Sequence, residues 1–283
     1  MKISIIILTY NNLDLNKKCI ESVLKYSDGD FEIIIVDNAS KDKTPDYLRT
    51  LKNDKIKVIL NDENLGFSKG NNLGAKAASG EILIFLNNDT EVTKDWLTPI
   101  IGQLQKESVG IVAPKLLYPN GKIQHAGVVI SSKHIPHHIY RLFNSDFKPA
   151  NKLREYKAVT GACLAIKKDI FKRVGGFDEG YINGLEDIDL CFKVRKLGYR
   201  VFYVPESTVI HYESISKDRF RYVFRNIEYY LGKWGDVEPD EDETYRNDGF
   251  GPFFITKEHI KNRYLTGSYL EKIKTVVKKL SRN

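Results

Sequence analysis

The chain has 283 residues, 42% of them hydrophobic and 29% charged, with a formal net charge of +7. This is an ordinary globular balance, enough to bury a sizeable core in one large α/β domain or two packed ones. Cys19, Cys163 and Cys191 form no CxxC pair, which excludes a disulfide framework, and no run approaches the roughly 18 apolar residues that span a bilayer.

The apolar run in MKISIIILTYNN is too short for a signal-peptide core, so a cytoplasmic protein, soluble or peripheral, is expected. The positive charge favours phosphates, anionic lipid or nucleic acid without choosing among them.

The first hundred residues alternate regularly. ISIIIL (3–8) is a buried strand, and the helix after it places Leu15, Cys19, Ile20, Val23 and Leu24 on one face. FEIIIVD (31–37) is a second strand, KDKTPDYLRTLK a helix with Pro45 in its first turn, and KIKVILN (55–61) a third strand. GFSKGNNLGAKAAS is a glycine-opened helix leading to EILIFLN (81–87). Strand–helix alternation with continuous apolar strands predicts an α/β fold with a mainly parallel sheet covered on both faces.

In such sheets ligands bind beyond the carboxyl ends of the strands. The tips here are polar: Thr9, Tyr10, Asn11 and Asn12; then Asp37, Asn38, Ala39 and Ser40; then Asn61 to Gly66; then Asn87, Asn88 and Asp89. Four polar tips at corresponding positions argue for a polar ligand. No GxGxxG or GxxxxGK[ST] is present to cradle phosphates. Asn and Asp are also common in turns, but at a strand end in a chain without a phosphate loop, Asp89 is expected to hold a cation.

Beyond residue 105 the pattern loosens. VGIVAPKLLY, GVVISS, AVTGACLAI and YRVFYVPES are predicted strands, residues 134–153 a loop-rich insertion, and LEDIDLCFKVRKLG a helix opened by acids and closed by Gly198. The remainder is helical and highly charged, with an acidic loop at 238–243.

The stretches IIILTYNN, IIIVDNASKD, NLGFSKGNNLG, ILIFLNNDT, TGACLAIKKDIFKRVGGFDE, EDIDLCFKVRKLGYR and VIHYES occur in this order between residue 5 and about 214. Together they make the chain resemble the family 2 glycosyltransferases of GT-A fold, in particular the rhamnosyltransferase-like bacterial subgroup. The resemblance implies transfer of a sugar from a nucleotide diphosphate to an acceptor hydroxyl, with inversion and with Mg or Mn as divalent cation. It divides the chain into a nucleotide-sugar half (1–105), an acceptor-binding and catalytic half (106–215) and a helical C-terminal extension (216–283).

The same resemblance assigns residues. Thr9, Tyr10, Asn12 and Asp37 line the base and ribose. Gly66, Lys69, Asn72, Asn87 and Asn88 lie along the nucleotide and diphosphate. Asn87 stands where the family has its first carboxylate, leaving Asp89 as the metal-side acid with His211 as a second ligand. Asp187 is the general base, with Glu186, Gly161 and His125 on the acceptor side. For Asp189, stabilisation of the helix terminus is the simpler role.

HIPHH (134–138) lacks a nearby cysteine and suits an acceptor-side loop better than zinc. In SYLEKIKTVVKKLSRN, Leu270, Ile273, Val277 and Leu280 form an apolar stripe among basic residues, as in a helix lying on an anionic membrane or packed on the protein. The partners expected are a nucleotide-diphosphate sugar, a glycan or lipid-linked glycan acceptor, membrane contact through 265–283 and a second copy in a homodimer. Nucleic acid is not expected, because no recognition helix or aromatic RNA motif is present. A non-catalytic sugar-binding protein on the same scaffold is the alternative.

Overall fold

The computed structural model of the chain describes residues 1–213 and 222–265, the last seven by backbone alone. Its elements are β1 (Ile3–Thr9), α1 (Leu13–Tyr26), β2 (Phe31–Asp37), α2 (Thr44–Thr50), β3 (Ile56–Leu60), α3 (Gly66–Ala77), β4 (Ile82–Asn87), β5 (Thr90–Val92), α4 (Leu97–Leu104), β6 (Val109–Leu117), β7 (Ile123–His125), β8 (Val128–Ile130), β9 (Pro136–His138), β10 (Arg154–Glu155), β11 (Cys163–Lys167), α5 (Lys168–Arg173), α6 (Glu186–Lys196), β12 (Arg200–His211), α7 (Val223–Trp234), α8 (Glu241–Asn247) and α9 (Pro252–Leu265).

The main sheet has the order β10-β12-β6-β11-β4-β1-β2-β3, with β5 on β12 and β7 on β6. β1 pairs in parallel with β2 and β4, β2 with β3, and β6 with β12. β11 is antiparallel to both its neighbours, β4 and β6. β6 and β12 therefore run the same way as β4, and the carboxyl ends of β1, β2, β4, β6 and β12 share one edge with the start of β11.

The pleat sorts the apolar residues of β1 into two layers. Ile3, Ile5 and Ile7 join Ile33, Ile35, Ile84, α1 residues Cys19, Ile20 and Val23, and α4 residues Ile100 and Leu104 in one buried cluster. On the other face α3 lies close against the strands. A Cβ at Gly74 would stand 2.5 Å from Ile6 Cγ2 and 3.2 Å from Val36 Cγ2. Both apolar faces are thus covered, as the unbroken Ile/Leu/Val runs require.

One sequence expectation changes here. YRVFYVPES and VIHYES were separate readings, but 200–211 is one strand whose register with β6 shifts between Val204 and Thr208, around Pro205, which has no N–H to give. The insertion 134–153 carries β9 and a 3-10 turn at Lys148–Asn151. Residues 1–105 and 106–213 share a single sheet.

The described residues form two compact units. One holds Met1–Val128 and the residues from His138 to 213, with the whole main sheet. The other holds Val129–His137 with the residues from 222 onward. In it Ile227, Tyr230, Trp234, Tyr245 and Ile255 are buried, and Ile130 and Asp240 exchange hydrogen bonds in both directions. Residues 266–283, most of the amphipathic stretch singled out above, lie outside the described residues.

Gly74→Ala should lower the urea midpoint. Overpacking against two stiff β-branched side chains costs about 1–3 kcal/mol, against about 1 kcal/mol of helix propensity gained. Gly102→Ala in α4, where nothing lies within 4 Å of the added Cβ, should leave the midpoint unchanged or raise it.

Candidate active site

The first polar tip closes on itself. Asp37, buried at the end of β2, accepts from Thr9 Oγ1 at 3.0 Å, from the Ser40 amide at 3.0 Å and from the Ser40 hydroxyl. Asn11 and Asn12 are left-handed, with φ 57° and 64°, as is Ala39 at 59°. Asn11 N–H donates to Ser40 Oγ at 2.7 Å, and Lys41 N–H to Asn11 Oδ1 at 2.7 Å. The turns after β1 and β2 are therefore latched together, leaving Tyr10 on the surface with 42% of its area exposed.

The second centre forms at the end of β4. Asn87 N–H donates to Ala162 C=O at 2.9 Å, and Asn88 Nδ2 to Asn16 Oδ1 at 2.8 Å. Asp89 is buried, and its Oδ1 lies 3.1 Å from His211 Nε2, brought there by the β5–β12 pairing of Thr90 with His211. The other ring nitrogen, Nδ1, stands 2.5 Å from Gln124 Oε1. An amide oxygen only accepts, so Nδ1 carries a ring hydrogen and Nε2 is the nitrogen turned to the carboxylate.

With the ring neutral these are two acceptors 3.1 Å apart, an arrangement that a cation between them stabilises. An ion with bonds of about 2.1 Å to each of two adjacent donors sets those donors about 3 Å apart. Among the described residues no three His, Cys, Asp or Glu side chains gather into a cage. Two donors suit a hard divalent ion completed by phosphate oxygens and water rather than by protein. Asp89 and His211 fit the cation expected of them.

The third centre is Asp187 in the first turn of α6. Gly161 N–H donates to its Oδ2 at 2.7 Å, and a Cβ on Gly161 would stand 3.0 Å from Asp187 Cβ. Any larger residue would push the helix terminus back by a few tenths of an ångström. Asn183, Gly184 and Leu185 before it all have positive φ, at 57°, 147° and 74°. Glu186 is buried and accepts from Gly184 N–H at 2.6 Å. Burial first, then the adjacent Asp187 charge, push the Glu186 carboxyl up to about 8. Asp189 is buried 3.4 Å from Lys193 Nζ, a structural pair rather than a surface cap.

These centres meet along three residues. Ala162 is held by Asn87 and Gly161 holds Asp187, so the chain entering β11 links the tip of β4 to the start of α6.

Gly66 opens α3 with φ 75°, and Lys69 lies on the exposed face of that helix. Asn72 grips a glycine loop: its Nδ2 donates to Phe177 C=O at 2.9 Å, and its Oδ1 accepts from Phe177 N–H at 3.0 Å. The pleat of β7 sends Gln124 to His211 and His125 to the opposite side, 3.0 Å from His138 and edge-on to Tyr203. Burial, then His138, hold the His125 ring well below the ordinary imidazole range. The histidines of HIPHH separate: His134 meets Val237 C=O, His137 meets Glu241 and His138 meets His125. Gln124 had no signal of its own in the sequence; a lone amide on a three-residue strand is indistinguishable from a packing residue.

A mainly parallel α/β sheet thus brings a buried carboxylate–imidazole pair and a separate carboxylate at a helix start to one edge. The family model described as glycosyl transferase family 2 matches residues 4–175, and one described as the N-terminal domain of galactosyltransferase matches 141–218. The chain belongs to glycosyl transferase family 2, and its fold is the GT-A fold.

It is 36% identical over 251 residues to an uncharacterized protein, y4gI, of Sinorhizobium fredii, covering 82% of this chain and 27% of that one. It is 33% identical over 224 residues to the O-antigen biosynthesis protein RfbC of Myxococcus xanthus, covering 76% and 18%. The chain thus spans about a quarter or less of the length of these two relatives. The crystal structure of GalNAc-T7 with UDP, GalNAc and Mn2+ superposes with a TM-score of 0.64 at 19% identity, covering 95% of this chain and 58% of that one.

A buried acid raised to about 8 keeps a proton that the unfolded chain, at about 4.5, has already lost. The folded state then binds more protons than the unfolded one across that window, so this group's contribution to stability falls as pH rises through it. Glu186→Gln keeps the oxygen that accepts from Gly184 and removes the ionisation. Its melting temperature should match the parent's at about pH 5 and exceed it by several degrees at about pH 8.5; parallel curves would contradict the burial assignment.

Proposed function

We propose that the chain transfers a sugar from a nucleotide diphosphate to an acceptor hydroxyl by a single inverting displacement. The observation that carries this reading is the Asp89–His211 pair standing at the same sheet edge as Asp187, linked through Gly161 and Ala162. The exposed Tyr10 ring beside the latched Thr9, Asn12 and Asp37 turns offers a face for the base and ribose. Gly66 and Lys69 at the opening of α3 supply backbone N–H and positive charge toward the diphosphate. Asn72 acts indirectly, by holding the 175–180 loop.

Asp187 accepts the proton of the acceptor hydroxyl as its oxygen bonds to the anomeric carbon and the bond from that carbon to the diphosphate oxygen breaks. Attack on the face opposite the leaving group inverts the configuration. Gly161 N–H fixes one carboxylate oxygen of Asp187 and so orients the other. Glu186, with its proton retained by burial, keeps a second negative charge away from Asp187. Mg2+ or Mn2+ at Asp89 and His211, when bound, neutralises charge developing on the diphosphate. The Mn2+ and UDP of GalNAc-T7 support this reading.

The donor half is 1–105 and the acceptor half 106–215. Rhamnose from dTDP-rhamnose is the first donor in this reading and a UDP-hexose the second. The acceptor is a growing cell-surface polysaccharide or lipid-linked glycan, which the O-antigen biosynthesis role named for RfbC supports. No helix of the described residues is long and apolar enough to cross a membrane. Contact with the inner membrane face is assigned to 265–283, and a homodimer to the aromatic helix α7.

Incubation with each common nucleotide sugar and Mn2+ or Mg2+ should release nucleoside diphosphate from one donor, and Asp89→Asn should abolish that release. With an acceptor in hand, Asp187→Asn should lower kcat about 10²–10⁴-fold with donor affinity kept, while Glu186→Gln should stay within a few-fold of the parent. Tight binding of a donor with no turnover under any condition would instead favour a non-catalytic sugar-binding protein.

A further inference from the structure

The side chains behind His211 form a chain of forced choices. Gln124 is buried on β7, between the His211 ring and the Glu213 carboxylate. Its Nε2 lies 3.4 Å from Glu213 Oε2, and its Oε1 lies 2.5 Å from His211 Nδ1. A carboxylate only accepts, so the NH2 end of the amide must face Glu213 and the oxygen must face the ring. The oxygen only accepts, so Nδ1 must carry a ring hydrogen, and in the neutral ring Nε2 presents its lone pair to Asp89.

Glu213 is itself fixed. Its Oε2 accepts from Arg141 Nη2 at 3.0 Å, and Arg141 Nε donates to Tyr118 Oη at 2.6 Å. Its backbone is left-handed, with φ 49°, an uncommon conformation for a non-glycine residue. Arg141 also lies over the Tyr118 ring, 5.6 Å from its centroid. The order Tyr118–Arg141–Glu213–Gln124–His211–Asp89 leaves one orientation for each amide and ring.

We infer that Gln124 is the positioning residue that sets which nitrogen of His211 faces Asp89, with Glu213 and Arg141 fixing the orientation of its amide. The inference rests on the reading of Asp89 and His211 as donors to one divalent ion. Gln124 does not touch the ion or substrate; it acts through the ring. A partner of this kind behind a metal-binding histidine is worth about 10–100-fold in metal affinity.

The test is Mn2+ affinity of the full chain, read from the electron paramagnetic resonance signal of free Mn2+, with Mn2+ alone and with UDP added. Gln124→Met, close to isosteric, should weaken Mn2+ binding about 10–100-fold. Arg141→Met, at a half-exposed site that leaves the fold intact, should weaken it in the same direction and by less. The exchange Gln124→Glu with Glu213→Gln returns an acceptor to the ring and a donor behind it, and should recover most of the affinity that Gln124→Met loses. Affinities equal to the parent's in both Gln124→Met and Arg141→Met would overturn the inference. So would a loss in Gln124→Met that the exchange leaves unchanged, since that marks packing rather than orientation. A parent chain that binds no Mn2+ in either condition would overturn the metal reading itself, and this inference with it.

Discussion

The structure depends on one reversed strand. β11 runs against both β4 and β6, and its backbone pairing with β4 sets Cys163 opposite Leu86 and Ala162 C=O opposite Asn87 N–H. A parallel strand in this place would begin at the other end of the sheet. Because β11 is antiparallel, the residues that lead into it arrive at the edge where β1, β2, β4, β6 and β12 finish. Thr160, Gly161 and Ala162 are thereby delivered to the polar tips, and α6 is bound to them through Asp187. The chemistry at the edge is consequently held by backbone hydrogen bonds of a buried sheet, not by loop conformation.

A second consequence is the separation of two kinds of carboxylate. Asp37 and Asp189 are buried and consumed by neighbours, one by Thr9 and Ser40, the other beside Lys193. Glu186 is buried where burial opposes its charge. Asp89 and Asp187 lie at the same edge, one 3.1 Å from His211 Nε2 and the other holding Gly161 N–H. The surroundings of each acid set the five apart, whereas in sequence all five sit in similar Asn/Asp/Glu-rich stretches.

Much of this was legible in the sequence. Continuous apolar runs in 3–8, 31–37 and 81–87 fixed the buried strands, because a strand covered on both faces has no polar positions to spare. The polar tips were legible for the same reason: Asn87, Asn88 and Asp89 break an apolar run abruptly. What was not legible depends on register between distant segments. Gln124 and His125 are adjacent, and only the pairing of Leu116 with His125 decides which one meets His211. Asn72 is placed on the nucleotide side by the resemblance alone, and nothing local in the sequence shows that Gly176, 104 positions later, leaves the space its amide fills. The continuation of the 199–207 strand to His211 was hidden because Glu206, Ser207 and Thr208 interrupt the apolar run where the register with β6 shifts.

The most direct measurement of the central claim is a crystal structure with Mn2+ and UDP, located by the anomalous signal of the metal. The account predicts Mn2+ bound to both Asp89 Oδ1 and His211 Nε2, with the diphosphate on the ion and the nucleoside over the turns that follow β1 and β2. Mn2+ bound elsewhere, or UDP on a face of the molecule away from this edge, would contradict it.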